Sequence, residues 1–149
     1  MKPVTVSVDV GAPRERVFDF LDVMANHQRF TDHFMVDWQQ SGPPRGVGAK
    51  ANVRMKAIGE KDRTEIEVIE VDPGRRIVEE GTGGRRGERR TRGTYLLEDL
   101  PGGATRIEFT LEFLSLPTSE KLMGPLQRAY LRRVNGRALR RLAETLSSI

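Results

Sequence analysis

The chain has no cysteine among its 149 residues. Disulfides, thiolate metal sites and cysteine nucleophiles are therefore excluded. Only two histidines occur, His27 and His33. Their spacing is not the i, i+4 pair of a helical zinc site. A metal there would also need Asp22, Asp32 or Asp37 as ligands, an unusual set for zinc. No apolar run approaches the ~20 residues needed to cross a bilayer. The opening "MKPVTVSVDV" alternates and lacks the layout of a secretory signal. Phosphate-loop and hydrolase signatures are missing too: "GPPRGVG" and "GTGGRRG" lack the Lys-Ser/Thr ending, and there is no Gly-x-Ser-x-Gly. These absences lead to the expectation of a cytoplasmic protein with no metal and no cofactor.

What is present suits a soluble globular chain, with 37% hydrophobic and 31% charged residues. The length fits one domain, residues 1–149, with a sizeable core. Positive charge is concentrated at the end. Residues 118–149 hold seven Lys or Arg against two acidic residues, whereas the preceding 117 hold 18 against 19. Such an excess suits an acidic partner or nucleic acid. The plainer reading is a solvated helix face, and the lack of a nucleic-acid motif favours it. "GGRRGERRTRG" (83–93) has five Arg and four Gly but no aromatic to stack on bases. Nucleic acid is accordingly disfavoured as a partner.

Periodicity supplies the architecture. "PVTVSVDV" (3–10) alternates as a half-buried strand. Pro13 suits a first helical turn, and Val17, Phe18, Leu21 and Met24 form an apolar stripe at helical spacing. That helix is expected to pause near Asn26, with a second short helix through His27–Phe30. From residue 35 to 113 strand patterns alternate with turn signals such as "DPG" (72–74) and "PGG" (101–103). "TRIEFTLEF" (105–113) is the clearest, with Ile107, Phe109, Leu111 and Phe113 on one face. Start signals at 116–120 and Pro125 precede a long amphipathic helix. Tyr130, Leu131, Val134, Ala138, Leu139, Leu142, Leu146 and Ile149 cover its apolar half. Arg132, Arg133, Arg137, Arg140 and Glu144 cover the other. The expected fold class is α+β: a strongly curved antiparallel sheet of about seven strands wrapped round the C-terminal helix. Two short helices follow the first strand.

This order resembles the helix-grip superfamily called SRPBCC or START-like, which includes the polyketide cyclase/dehydrase family. The segments that carry the resemblance are "VDVGAPRERVFDFL", "GPPRGVGAKANVRM", "VIEVDPGRRIVEE", "GTYLLEDLPGGATRIEFTLEF" and the terminal "RALRRLAETL". They cover essentially the whole chain in the correct order. The resemblance implies a deep cavity between sheet and helix. Relatives bind lipids, sterols, hormones or polyketides there, a minority catalyse cyclisation or dehydration, and others act as protein partners. Fold alone does not settle which.

Given such a cavity, the sheet face turned to the helix should line it, through Val53, Met55, Thr64, Ile66, Tyr95, Leu97, Phe109, Leu111 and Phe113. "NHQRFTDHF" (26–34) reads as a lid over the mouth, with Phe30 and Phe34 pointing in. A catalytic His27 or His33 is the alternative reading of that lid. Counting back from Tyr95 puts Thr91 and Arg89 on the inner face. An inward Arg89 would need Glu79, Glu80 or a polar ligand as partner. The Arg/Gly composition instead favours an exposed hairpin tip. Gln127 and Asn135 fall on the apolar half of the last helix. Asn135, beside Leu131, reads equally as a ligand contact or a satisfied structural amide.

The expected function is binding of a small, mainly hydrophobic ligand, lipid-, polyketide- or aromatic-like. Arg89, Tyr95 and Asn135 would orient it. One alternative is a cyclase/dehydrase-like enzyme, against which stands the lack of an obvious inward Asp or Glu. Another is a protein- or RNA-binding module using the basic helix face. The chain is expected as a monomer or homodimer.

Overall fold

The structure, a computed structural model, describes residues 1–57, 63–122 and 124–147. Its strands are β1 (Val4–Val10), β2 (Met35–Ser41), β3 (Lys50–Met55), β4 (Arg63–Asp72), β5 (Arg76–Gly83), β6 (Arg89–Leu100) and β7 (Ala104–Ser115). Helices α1 (Arg14–Asp22) and α2 (Met24–Thr31) follow β1, and α3 (Thr118–Lys121) and α4 (Gly124–Ser147) follow β7. The seven strands make one antiparallel sheet in the order β1-β7-β6-β5-β4-β3-β2. From β2 to β7 each strand pairs with the next in sequence, and β1 lies on the far side of β7. This is the α+β helix-grip arrangement expected from the pattern.

The alternation of β7 shows why the sheet has two faces. Ile107 and Phe109 are buried while Arg106 is exposed. Phe109 stands opposite Val6 on one neighbour and Tyr95 on the other. Their side chains therefore fall on one face and join the same core. Turns are supplied where the sequence signals them: Gly74 takes φ 77° at the β4–β5 hairpin, a backbone region open to glycine.

Helix α4 buries Leu131, Val134, Asn135, Ala138, Leu139, Leu142 and Leu146, a stripe recurring every three or four residues. Arg132, Arg133, Arg137, Arg140 and Glu144 are exposed. Ile149, assigned to the apolar half by its spacing, lies outside the described residues. The stripe meets Val10, Ile77, Leu97 and Ile107 of the sheet in one core cluster. Among the described residues no helix is long and apolar enough to cross a membrane.

One boundary differs from expectation. The helical ribbon breaks at Val23, with φ −88° and ψ 111°, and not near Asn26. The cause is tertiary. Val23 bridges Arg45 in the Pro/Gly loop, and the Met24 N–H donates to the Pro44 carbonyl at 3.1 Å. That pairing holds Val23 extended, so α2 starts directly afterwards.

Leu142 is fully buried on α4. Leu142→Ala is expected to destabilise the protein by about 2–5 kcal/mol, as buried leucine truncations do. Urea denaturation followed by far-UV circular dichroism measures it.

Candidate functional site

Sheet and helix do not close on each other completely. A chamber of about 100 Å³ remains between them. Its walls come from six strands and one helix, for example Met35 (β2), Met55 (β3), Ile66 (β4), Gly81 (β5), Thr91 (β6), Leu111 (β7) and Leu131 (α4). Only a sheet bent round the helix brings these together. The chamber adjoins an open vestibule of about 560 Å³ bounded by the β5–β6 hairpin, α3 and the start of α4. Met55, Arg89, Gln127 and Leu131 border both spaces and so form the neck between them. At the opposite end Phe34, Ile66, Glu79, Phe109 and Asn135 separate the chamber from a small void of about 20 Å³ beside α2.

Most of the residues singled out from sequence converge here. Phe34, Met55, Ile66, Arg89, Thr91, Phe109, Leu111, Leu131 and Asn135 all line the chamber. Four do not. Val53 and Leu97 are packed in the core. Phe30 and Tyr95 border the small void instead, with Tyr95 packed on Phe109 at a ring separation of 4.7 Å. Asn135 donates its Nδ2–H to the Leu131 carbonyl at 2.8 Å, so that part of the amide serves the helix.

The lid reading of residues 26–34 fails on geometry. This segment caps the inner end, away from the mouth, and it is tied down. Arg141 on α4 reaches Asp32 at 2.7 Å, the Arg29 carbonyl at 3.0 Å and His33 Nδ1 at 2.8 Å. Since Arg141 donates to Nδ1, His33 is the neutral Nε2–H tautomer. It passes that proton's hydrogen bond to the Val134 carbonyl at 2.8 Å. Burial, Arg141 and Arg137 hold the His33 pKa below its ordinary value. His27 is 4% exposed and donates Nε2–H to the Leu21 carbonyl at 2.6 Å. Burial lowers its pKa as well. Both histidines thus act as structural ties between backbone segments. Among the described residues no group of three or more His, Asp or Glu is placed to hold a metal.

Arg89 also corrects an expectation. Its composition suggested a solvated tip, yet it is 8% exposed and faces inward. Its partner is neither Glu79 nor Glu80. Nε and Nη2 both reach Glu120 on α3, each at 2.9 Å. Such a planar fork on a carboxylate is the strong form of an ion pair. Gln127 adds a hydrogen bond to Glu120 Oε1 at 3.2 Å. Glu80, on the outer face, pairs with Arg90 and Arg92 instead.

From sequence, Glu79 is named only as a candidate partner of Arg89, and its place as an inward polar group of the chamber is missed. Glu79 shares a face of β5 with buried Ile77, two residues before it, and so points inward, into the chamber wall. Its Oε2 is shut off from solvent without a hydrogen-bond partner. Thr64 Oγ1 and Gln127 Oε1, also on the chamber wall, are in the same condition. Burial pushes the Glu79 carboxyl up to about 7. Tyr95 is raised well above its ordinary value by burial and by Glu79. A signal was available in the glycines. A Cβ on Gly93 would come within 2.9 Å of the Phe109 ring and 3.3 Å of Glu79 Cγ. One on Gly81 would meet Thr91 Oγ1 at 2.7 Å, and one on Gly83 would meet Thr64 Oγ1 at 2.7 Å. Strand-interior glycines mark places where something else needs the space. Here that something is the set of polar side chains laid across the inner face.

Comparison with known proteins gives one family and a common fold. The profile of the family described as polyketide cyclase / dehydrase and lipid transport matches residues 1–147. Among solved structures, TTHA0849 from Thermus thermophilus superposes with a TM-score of 0.74 at 20% identity, covering 99% of this chain and 98% of the other. The Zhui aromatase/cyclase from a Streptomyces species gives 0.74 at 17% identity, covering 97% and 93%. DynU16, from the dynemicin biosynthetic locus, gives 0.62 at 23% identity, covering 99% of this chain and 49% of the other. No curated protein matches significantly.

Glu79 makes a pH prediction. Its folded pKa, about 7, lies above the ordinary carboxylate value of 4.5. The folded state therefore binds the proton more tightly, and the stability linked to Glu79 is full below pH 4.5. It declines as pH rises through about 7. Relative to Glu79→Gln, the wild type should lose on the order of 2–3 kcal/mol across that window. Urea titrations of both proteins at half-unit pH steps read the difference directly.

Proposed function

The chain belongs to the polyketide cyclase/dehydrase and lipid transport family, and from that we propose that it binds one small, mainly hydrophobic molecule in the chamber between sheet and α4. The single observation that supports this most is the chamber itself, apolar along Phe34, Met55, Ile66, Phe109, Leu111, Phe113 and Leu131, and joined through a neck to a wide mouth. Apolar walls supply affinity by removing the ligand's surface from water. Thr64, Glu79 and Gln127 supply the few polar atoms that fix orientation. In this reading Arg89 shapes the neck through its pair with Glu120, and Thr91, Leu111 and Asn135 are wall contacts. Tyr95 and Phe30 back the inner end.

A second reading has its own support. An acid with a pKa near neutrality, inside a cavity, is the type of group that moves protons in catalysis. A cyclase/dehydrase-like activity would use Glu79 in that role.

Met55 borders both spaces at the neck. Met55→Trp should fill the neck and lower affinity for the neutral probe N-phenyl-1-naphthylamine by about tenfold or more, with the far-UV spectrum unchanged. Fluorescence titration measures it. Undiminished binding by the folded variant would remove this route from the proposal.

A further inference from the structure

The deepest polar group of the chamber also bears on which ligands fit, and this inference rests on the binding reading above. We propose that the inner end is a donor site for a neutral oxygen acceptor, such as a ketone carbonyl, with the protonated carboxyl of Glu79 as donor. The same site turns away molecules that end in a carboxylate.

Glu79 borders both the chamber and the small inner void. The same two spaces are lined by Tyr95 and Arg89 from β6, His27 from α2, Thr64 and Ile66 from β4, and Phe109 from β7. α4 brings Gln127, Leu131 and Asn135 to the chamber, none of them charged. Arg89 spends its fork on Glu120. His27 directs its Nε2–H at the Leu21 carbonyl. Tyr95 is a neutral phenol whose ionisation Glu79 itself opposes. No cation is therefore committed to Glu79 among the described residues, and an ionised carboxylate there would be desolvated without compensation. The group's low-energy form is the neutral acid.

A neutral carboxylic acid has one O–H to give. Oε2 has no hydrogen-bond partner among the described residues, and the Glu79 side chain lines the chamber. An acceptor on the ligand completes that bond. A ketone oxygen can do so without bringing charge. A carboxylate would enter a site whose guanidinium already holds a carboxylate, and would leave its own charge poorly solvated. The polar atoms of Thr64 and Gln127 lie in the same chamber, Gln127 at the neck, so a second polar group nearer the mouth is also served.

Three naphthalenes of one shape separate the cases: 2-acetylnaphthalene, its alkene isostere 2-isopropenylnaphthalene, and 2-naphthoate. Each competes with N-phenyl-1-naphthylamine for the wild type, Glu79→Gln and Glu79→Leu, at pH 6 and pH 8.5. At pH 6 the wild type should prefer the ketone to the alkene and to the naphthoate by about tenfold, the worth of one well-made buried hydrogen bond. At pH 8.5 Glu79 is largely ionised and the preference over the alkene should shrink below about threefold. Glu79→Gln should keep the preference at both pH values, because an amide N–H donates at either. Glu79→Leu should lose it at both. Equal binding of ketone and alkene by the wild type at pH 6 overturns this inference and leaves the binding reading standing. So does a ketone preference that survives Glu79→Leu, or a naphthoate that binds best. Failure of every probe, the fluorophore included, overturns the binding reading and the inference together.

Discussion

The apolar stripe of α4 has to be covered, and the sheet is what covers it. Leu139, Leu142 and Leu146 are almost wholly removed from water against the core. At roughly 25 cal/mol per Å² of apolar surface, that burial is the largest favourable contribution available to this helix. The other features described follow from it. A sheet that must follow a rod-like helix has to bend, and a bent sheet cannot touch the rod equally along its length. Contact is tight along the second half of α4. Around Leu131 and Gln127 the surfaces separate and the chamber begins.

The space is then kept open by small residues and filled at its edges by polar ones. Gly81, Gly83 and Gly93 bring no side chain to the inner face, and each vacated position is taken by a neighbour: Thr91, Thr64 or Arg89, and Phe109 with Glu79. Polar atoms thereby reach a surface that is otherwise apolar. Two opposite solutions to burying charge sit close together. Arg89 and Glu120 neutralise each other through a bidentate pair. Among the described residues Glu79 has no such partner, and burial raises its pKa to about 7, so that the proton is held until pH nears neutrality.

The histidines illustrate how a short motif misleads. "NHQRFTDHF" places two imidazoles and two aromatics at a helix break, which invites a lid or a catalytic pair. In the fold, His27 and His33 each serve a backbone carbonyl, Leu21 and Val134. Arg141 then fastens the segment to α4. Nothing local to residues 26–34 indicates Arg141, which lies over a hundred residues away. Arg89 teaches the converse. Its neighbours in sequence are soluble in character, but its own partner, Glu120, sits thirty-one residues further on. Composition averages over a segment, while burial is settled residue by residue.

Period-two alternation along β1, β3, β4 and β7, helical periodicity in α4 and the turn signals between them were enough to determine the fold. These patterns are local, and each has one common way to bury its apolar face. Alternation also placed Met55, Ile66, Phe109 and Leu111 on the chamber wall, because a face in a strand is inherited along the strand, and helical periodicity placed Leu131 and Asn135 there. The sequence alone did not decide which polar groups would be left without partners. That depends on whether a partner arrives from another element: α3 does so for Arg89, and among the described residues no element does so for Glu79 Oε2. Desolvation is a property of the whole surrounding volume, so the protonation of Glu79, and with it the chemistry of the chamber, was decided only by the tertiary structure.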